Sequence, residues 1–370
     1  MVGLAPAVTR SRDFHESENS ESRQSVFRQY NRFGIQCPAS STRMAIKNAS
    51  LIRRLAASWS GDLVAAVDEK DVIHVWSLES FSKLCEVQTF PKAPGVSVSL
   101  NRESSVVYAG SWYAGGAMAY SLSESRELWK RRDLRRFSGI SAGGYDSDLY
   151  CWFDGKASLR LDPATGKTVE KLRGVREFYC SSLNPVLLSG RRELHFGPKP
   201  TITRFKVPRT TFAVLDVAFA PDCVAVTESG GPVRCFSLVT GTERWRHTPA
   251  PGVHFIELSY CASLDLFVGV EWPYKTGGNH RLVSLARISG ATTLIAGLAP
   301  SLDFEFCRSG TLLISSEGDI VDVVSGRKIR RLEFPREEYE KPQFPSWKER
   351  MRAGTPEQRE LARLLGPSDP

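Results

Sequence analysis

From about residue 51 to residue 334 the chain alternates short apolar runs with turn signals, the pattern of short β-strands. The first stretch is typical. Leu51–Ser58, Leu63–Val67, Val72–Trp76 and Lys83–Thr89 read as four strands, parted by Ser60-Gly61, Asp68–Asp71 and Ser77–Ser82. An apolar or aromatic anchor near the end of each third strand recurs as Trp76, Tyr120, Leu161, Phe205, Phe236, Leu285 and Val321. These anchors lie 44, 41, 44, 31, 49 and 36 residues apart. Shortly after four of them comes a small residue followed by glycine: Thr165-Gly166, Thr240-Gly241, Ser289-Gly290 and Ser325-Gly326.

A period of about 41 residues with four strands in each repeat is that of a β-propeller blade. One twisted four-stranded sheet cannot bury both faces, but a ring of them can. The expected fold is therefore all-β, a propeller of seven four-stranded blades over residues 44–334. The unit near 174–210 has the weakest pattern, because Pro198, Pro200 and Pro208 crowd it, and six blades is the fallback.

Residues 1–43, rich in Ser and Arg, read as a disordered extension. Met44 is an alternative initiator, and Val26–Ile35 is a candidate extra strand. The tail 335–370 carries a short amphipathic helix. Thr355 is its cap and Pro356 its first residue, Leu361, Leu364 and Leu365 form its apolar face, and Gly366 is its stop.

Two stretches, Phe236–Trp245 (FSLVTGTERW) and Tyr120–Trp129 (YSLSESRELW), resemble the repeats of quinoprotein-type propellers. The run His74–Ser80 (HVWSLES) is similar to the ending of WD repeats, with Ser77 where aspartate is usual. The resemblance is to the fold and spans about 51–334. It implies a soluble interaction platform, since most such relatives have that role, and some bind a quinone cofactor.

Composition narrows the reading. Hydrophobic residues at 41% and charged residues at 24% suit a chain with a substantial core. No apolar run approaches the roughly 18 residues of a membrane-spanning helix, so no membrane association is expected. The net charge of +8 is spread over short clusters such as Lys130-Arg131-Arg132 and Arg330-Arg331, with no basic stripe interleaved with aromatics. Eight cysteines include no C-x-x-C pair and several sit inside apolar runs, as small buried hydrophobes do in a reducing compartment; a cytoplasmic location follows.

No catalytic, metal or cofactor residue can be assigned. Ala164-Thr165-Gly166-Lys167-Thr168 imitates half of a phosphate-binding loop, yet it shares its register with Thr240-Gly241 and reads as a hairpin turn. The histidines show no zinc spacing. Acidic residues after second strands (Asp68, Asp154, Glu228, Glu271 and Glu317) read as turn stabilisers rather than as a cation-binding ring.

Aromatic residues stand out instead, at loops on the face where strands two and three are joined. Trp112 and Tyr113 lie there, as do Trp152 and Phe153, the latter pair also suited to packing between blades. The longest such loop, Glu271–His280 (EWPYKTGGNH), supplies Glu271, Trp272, Tyr274 and Lys275. Aromatics beside a cation are the residue types that dominate interfaces. The function expected is a non-catalytic scaffold binding a protein partner through Trp112, Tyr113, Glu271, Trp272, Tyr274 and Lys275, without a cofactor. The alternatives are an enzyme or small-ligand binder using the central channel, and electrostatic nucleic-acid binding.

Overall fold

The computed structural model describes residues 52–336 except 59, 91–95, 102, 112–115, 135–136, 143–147, 154–155, 174, 181–184, 190–192, 197–202, 207–213, 229–230, 274–278, 302 and 308–309. For 175–206, 214 and 215 it describes the backbone alone. The expected extension, the Val26–Ile35 strand, Met44 and the C-terminal helix lie outside the described residues.

Seven antiparallel four-stranded sheets follow one another along the chain. Blade 1 holds β1 (Ile52–Ala57), β2 (Leu63–Asp68), β3 (Val72–Ser77) and β4 (Lys83–Gln88). Blade 2 holds β5 (Val96–Leu100), β6 (Val106–Ser111), β7 (Gly116–Ser121) and β8 (Arg126–Arg131). Blade 3 holds β9 (Phe137–Ala142), β10 (Leu149–Phe153), β11 (Ser158–Leu161) and β12 (Thr168–Leu172). Blade 4 holds β13 (Val175–Cys180), β14 (Pro185–Ser189), β15 (Glu193–Phe196) and β16 (Thr203–Lys206). Blade 5 holds β17 (Val214–Phe219), β18 (Cys223–Glu228), β19 (Val233–Ser237) and β20 (Glu243–His247). Blade 6 holds β21 (His254–Cys261), β22 (Leu266–Trp272), β23 (His280–Ala286) and β24 (Thr292–Leu298). Blade 7 holds β25 (Phe304–Cys307), β26 (Leu312–Ser315), β27 (Asp319–Asp322) and β28 (Arg327–Arg331).

Burial explains the strand sequences. Strands β2 and β18 are buried at every position and read as apolar runs up to their last one or two residues, because both faces meet neighbouring blades. Outer strands such as β4 and β28 are largely exposed and charged, which suits an edge that must not recruit other strands. Cores lie between blades. Val75, Val87, Val107 and Met118 join blades 1 and 2, and Phe267 and Leu285 share a cluster with Trp245 and Cys235 across blades 5 and 6.

Among the described residues no strand is exchanged between the first and last blades, since β1 pairs with β2 and β28 with β27. Side chains close the ring instead. Ile52, Leu55 and Trp76 of blade 1 pack with Leu312, Ile314 and Ile320 of blade 7 and with Leu332 and Phe334 just beyond it. The Trp76 and Phe334 rings are 4.6 Å apart.

One anchor needs correction. Phe205 lies in β16, the fourth strand of blade 4. The residue in register with Trp76 is Phe196, because Val186↔Phe196 repeats the pairing Val64↔Trp76. Phe196 and Phe205 are equally apolar in a unit whose strands are short, and apolarity alone could not distinguish an outer strand from an inner one. With Phe196 the spacings become 35 and 40 residues in place of 44 and 31.

Candidate functional site

Within each blade, the loop joining the second and third strands emerges on the same face as the loop that leads to the next blade. On that face of blade 6, β22 ends at Glu271 and Trp272, and β23 begins at His280 and Arg281 after a seven-residue loop, 273–279. Antiparallel pairing sets Glu271 opposite Arg281 and His254 opposite Trp272.

Glu271 is buried, and its Oε2 lies 2.7 Å from Nη2 of Arg281. Burial pushes its carboxyl above the usual range, with the Arg281 charge opposing. Nε2 of His247, at the end of blade 5, is 4.0 Å from Oε1. Trp272 is only partly buried and stacks on His280, with ring centroids 6.2 Å apart and planes at 18°. His280 in turn abuts Phe304 of blade 7 at 5.0 Å. Burial lowers the pKa of His247 and of His254, and brings that of His280 down to about 4. Burial thus favours the neutral form of all three, and His247 and His280 pack their rings against Phe255 and against Trp272 and Phe304.

The six residues expected at the interface fall into two groups. Glu271 is a buried brace, and Trp272 is the side chain left at the surface. Trp112, Tyr113, Tyr274 and Lys275 lie outside the described residues. His247, His280 and Arg281, which hold Trp272 and Glu271 in place, carry no sequence signal of that role beyond their positions at strand ends. Phe153 packs between blades 2 and 3, against Phe137 at 5.3 Å, and Trp152 covers Gly139, where a Cβ would come within 2.0 Å of the indole.

The acidic residues after second strands are engaged where the structure describes them. Asp68 accepts the backbone N–H groups of Lys70 and Val72, and its Oδ2 lies 2.9 Å from Nε2 of His74. Burial pushes the Asp68 carboxyl up, but the bonds from His74 and the two backbone amides outweigh it and hold the pKa below normal. Glu228 pairs with Arg234, which also binds Glu243 on the outer strand. Among the described residues no group of three His, Cys, Asp or Glu side chains could hold a metal ion. The 162–167 segment is a hairpin turn, with Asp162 accepting from the Thr165 N–H and hydroxyl and Gly166 at φ 68°. Arg131, from the basic cluster, is committed to Asp133 and to the Gly166 carbonyl.

No protein-family model matches the chain, and no curated protein is similar to it in sequence. Solved structures are similar in fold. U3-55K is 14% identical over 72% of this chain and 88% of its own, with a TM-score of 0.56. The WD40 repeats of RRP9 are 15% identical over 72% and 87%, TM-score 0.56. Dihydro-haem d1 dehydrogenase NirN, solved in complex with DHE, is 15% identical over 77% and 67%, TM-score 0.53. The likeness is one of fold, and it bears out the WD-repeat-like and quinoprotein-like propeller resemblance. No helix among the described residues is long and apolar enough to cross a membrane.

Proposed function

We propose that this propeller is a non-catalytic platform that binds a protein partner through the loop face of blade 6, with Trp272 as the anchor. The observation that carries the reading is the support beneath that residue. Trp272 is partly exposed yet stacked on a buried, neutral His280, and the strand pair that carries it is clamped by Glu271 and Arg281. A large aromatic held rigid loses little conformational entropy on binding, which is what an interface anchor needs. In the sequence Tyr274 and Lys275 follow it, and Trp112 with Tyr113 falls between the second and third strands of blade 2. The similar structures include one described as the mitotic checkpoint complex, an assembly of proteins. Cys85, Cys151, Cys223, Cys235, Cys261 and Cys307 form no disulfide, in keeping with a reducing cytoplasmic setting.

The test is affinity capture with the wild-type chain and with the double variant Trp272→Ala, Tyr274→Ala. The expected result is loss of a specific co-purifying protein while the thermal midpoint barely moves. A partner retained by the double variant removes this face from consideration.

A further inference from the structure

The outer strand of blade 6 differs from the other six. Strands β4, β8, β12, β16, β20 and β28 each carry at least two charged residues, whereas β24 (TTLIAGL) carries none. It is also the longest of them, at seven residues. An edge strand presents a row of unpaired N–H and C=O groups, and charges are the usual means of keeping other strands away. On β24 that protection is missing. Among the described residues its outer side pairs with nothing, since β23 is its one neighbour.

What surrounds β24 is apolar. Leu294 is 60% exposed, and Ile288, in the turn that leads into the strand, is 77% exposed. The next blade's turn, which carries the exposed Val324, abuts β24 through Gly326, whose added Cβ would come within 2.7 Å of the Ile295 carbonyl oxygen. A groove runs between the end of β24 and blade 7, lined by Gly297, Ala299, Val321, Gly326 and the ion-paired Asp319 and Lys328. A Cβ added to Gly297 would meet nothing within 4 Å.

We propose that β24 is a docking edge for an extended peptide of a partner protein, which adds to blade 6 as a fifth strand. Main-chain hydrogen bonds supply its affinity, and alternate apolar side chains lie over Leu294 and into the groove. Charge selects the occupant. β28, on the blade that forms the other wall, reads Arg327-Lys328-Ile329-Arg330-Arg331, four cations against Glu317, Asp319 and Asp322. The excess of positive charge favours a peptide with acidic residues flanking its apolar core. The chain's own candidate strand Val26–Ile35 carries Arg28, Arg32 and no acid, and a second copy brings the same positive excess to the junction. Both are disfavoured. This surface is distinct from the Trp272 loop and stands without it.

The experiment pans a random decapeptide display library against the full chain. Enriched sequences are then synthesised, and their binding is measured by fluorescence anisotropy. Enriched peptides should alternate β-branched or aromatic residues and carry Asp or Glu at their ends. Leu294→Lys and Thr293→Lys, each melting like the wild type, should weaken binding at least tenfold. Lys328→Glu should also weaken it, and Trp272→Ala should leave it unchanged. The proposal is overturned if no peptide is enriched, if basic peptides are, or if binding ignores the β24 variants. It is equally overturned if a synthetic 26–35 peptide outcompetes the selected ones. A dimer seen in sedimentation and abolished by Leu294→Lys assigns the edge to a second copy and also refutes it.

Discussion

Trp245 of blade 5 donates its indole N–H to the carbonyl oxygen of Arg287 in blade 6, at 2.7 Å. The same relationship joins blade 2 to blade 3, where Trp129 donates to the Pro163 carbonyl at 2.8 Å. In both cases the ring of an outer-strand tryptophan lies beneath the glycine of the next blade's turn between its third and fourth strands. Gly290 has φ 69° and Gly166 φ 68°, the left-handed region that glycine enters without cost. A Cβ would come within 2.5 Å of the Trp245 ring at Gly290 and 2.6 Å of the Trp129 ring at Gly166. The T-G-x-x-x-W spacing thus serves two blades at once: the glycine of one blade receives the tryptophan of the blade before.

Gly290→Ala should accordingly destabilise the fold by about 2–4 kcal/mol, from left-handed strain together with the clash against Trp245. Gly297→Ala is the control, because nothing lies near its added methyl, and it should stay within about 0.5 kcal/mol of the wild type. Urea denaturation of the two variants measures both. Equal effects would remove the tryptophan–glycine contact as a joint between blades.

The junction of blades 7 and 1 solves the same packing problem with the sizes exchanged. Phe81 takes, at φ 56°, the left-handed position that glycine holds in blades 3, 5, 6 and 7 and Ser125 in blade 2, and the outer-strand residue facing it is Arg330, whose guanidinium sits 5.1 Å from the Phe81 ring centre. Phe81→Gly should relieve about 1–2 kcal/mol of backbone strain and lose more than that in burial and cation–π attraction, leaving a net loss of about 1 kcal/mol. A thermal scan that shows Phe81→Gly more stable than wild type would mean the ring contributes little to closure.

These joints also show what the sequence could disclose. Turn glycines and strand-end anchors recur because each blade repeats one backbone conformation, so the period and the strands of blade 1 were legible within a residue or two. The register of blade 4 was not, since Phe205 and Phe196 are equally apolar and only pairing separates them. The Glu271–Arg281 clamp and the stacking of Trp272 on His280 depend on antiparallel register across a long loop, which spacing along the chain does not reveal.

Inner strands have a free edge, and carboxylates from the preceding blade satisfy part of it. Asp303 accepts the backbone N–H of Leu55 across the closure at 2.8 Å, and Asp216 accepts that of Leu258 between blades 5 and 6 at 2.7 Å. Asp303→Ala leaves a buried amide without its acceptor and should cost about 1–3 kcal/mol. Asp303→Asn keeps an oxygen at the same place and should cost less. If the two variants unfold at the same denaturant concentration, the Leu55 bond is not what Asp303 contributes.

Two groups with opposite shifts should shape the pH dependence of stability. Burial lowers His280 from 6.5 to about 4, so its neutral form is favoured in the folded chain. Between pH 4 and 6.5 the unfolded chain binds the proton and the folded chain does not. Stability therefore falls as pH drops through that window, by up to about 3 kcal/mol. Glu305 is shifted the other way, from 4.5 to about 8, first by burial and then by the nearby charges of Asp303 and Asp216. Its folded form retains a proton that the unfolded chain has lost above pH 4.5, so its contribution declines as pH rises from 4.5 towards 8. Denaturation midpoints measured from pH 4 to 9 should show both trends. His280→Phe should flatten the acid side while leaving the alkaline decline, and Glu305→Gln should do the reverse, since glutamine still accepts from the Ala57 N–H but carries no charge. A variant that leaves its own limb unchanged shows that the group titrates in the folded chain as it does in the unfolded one.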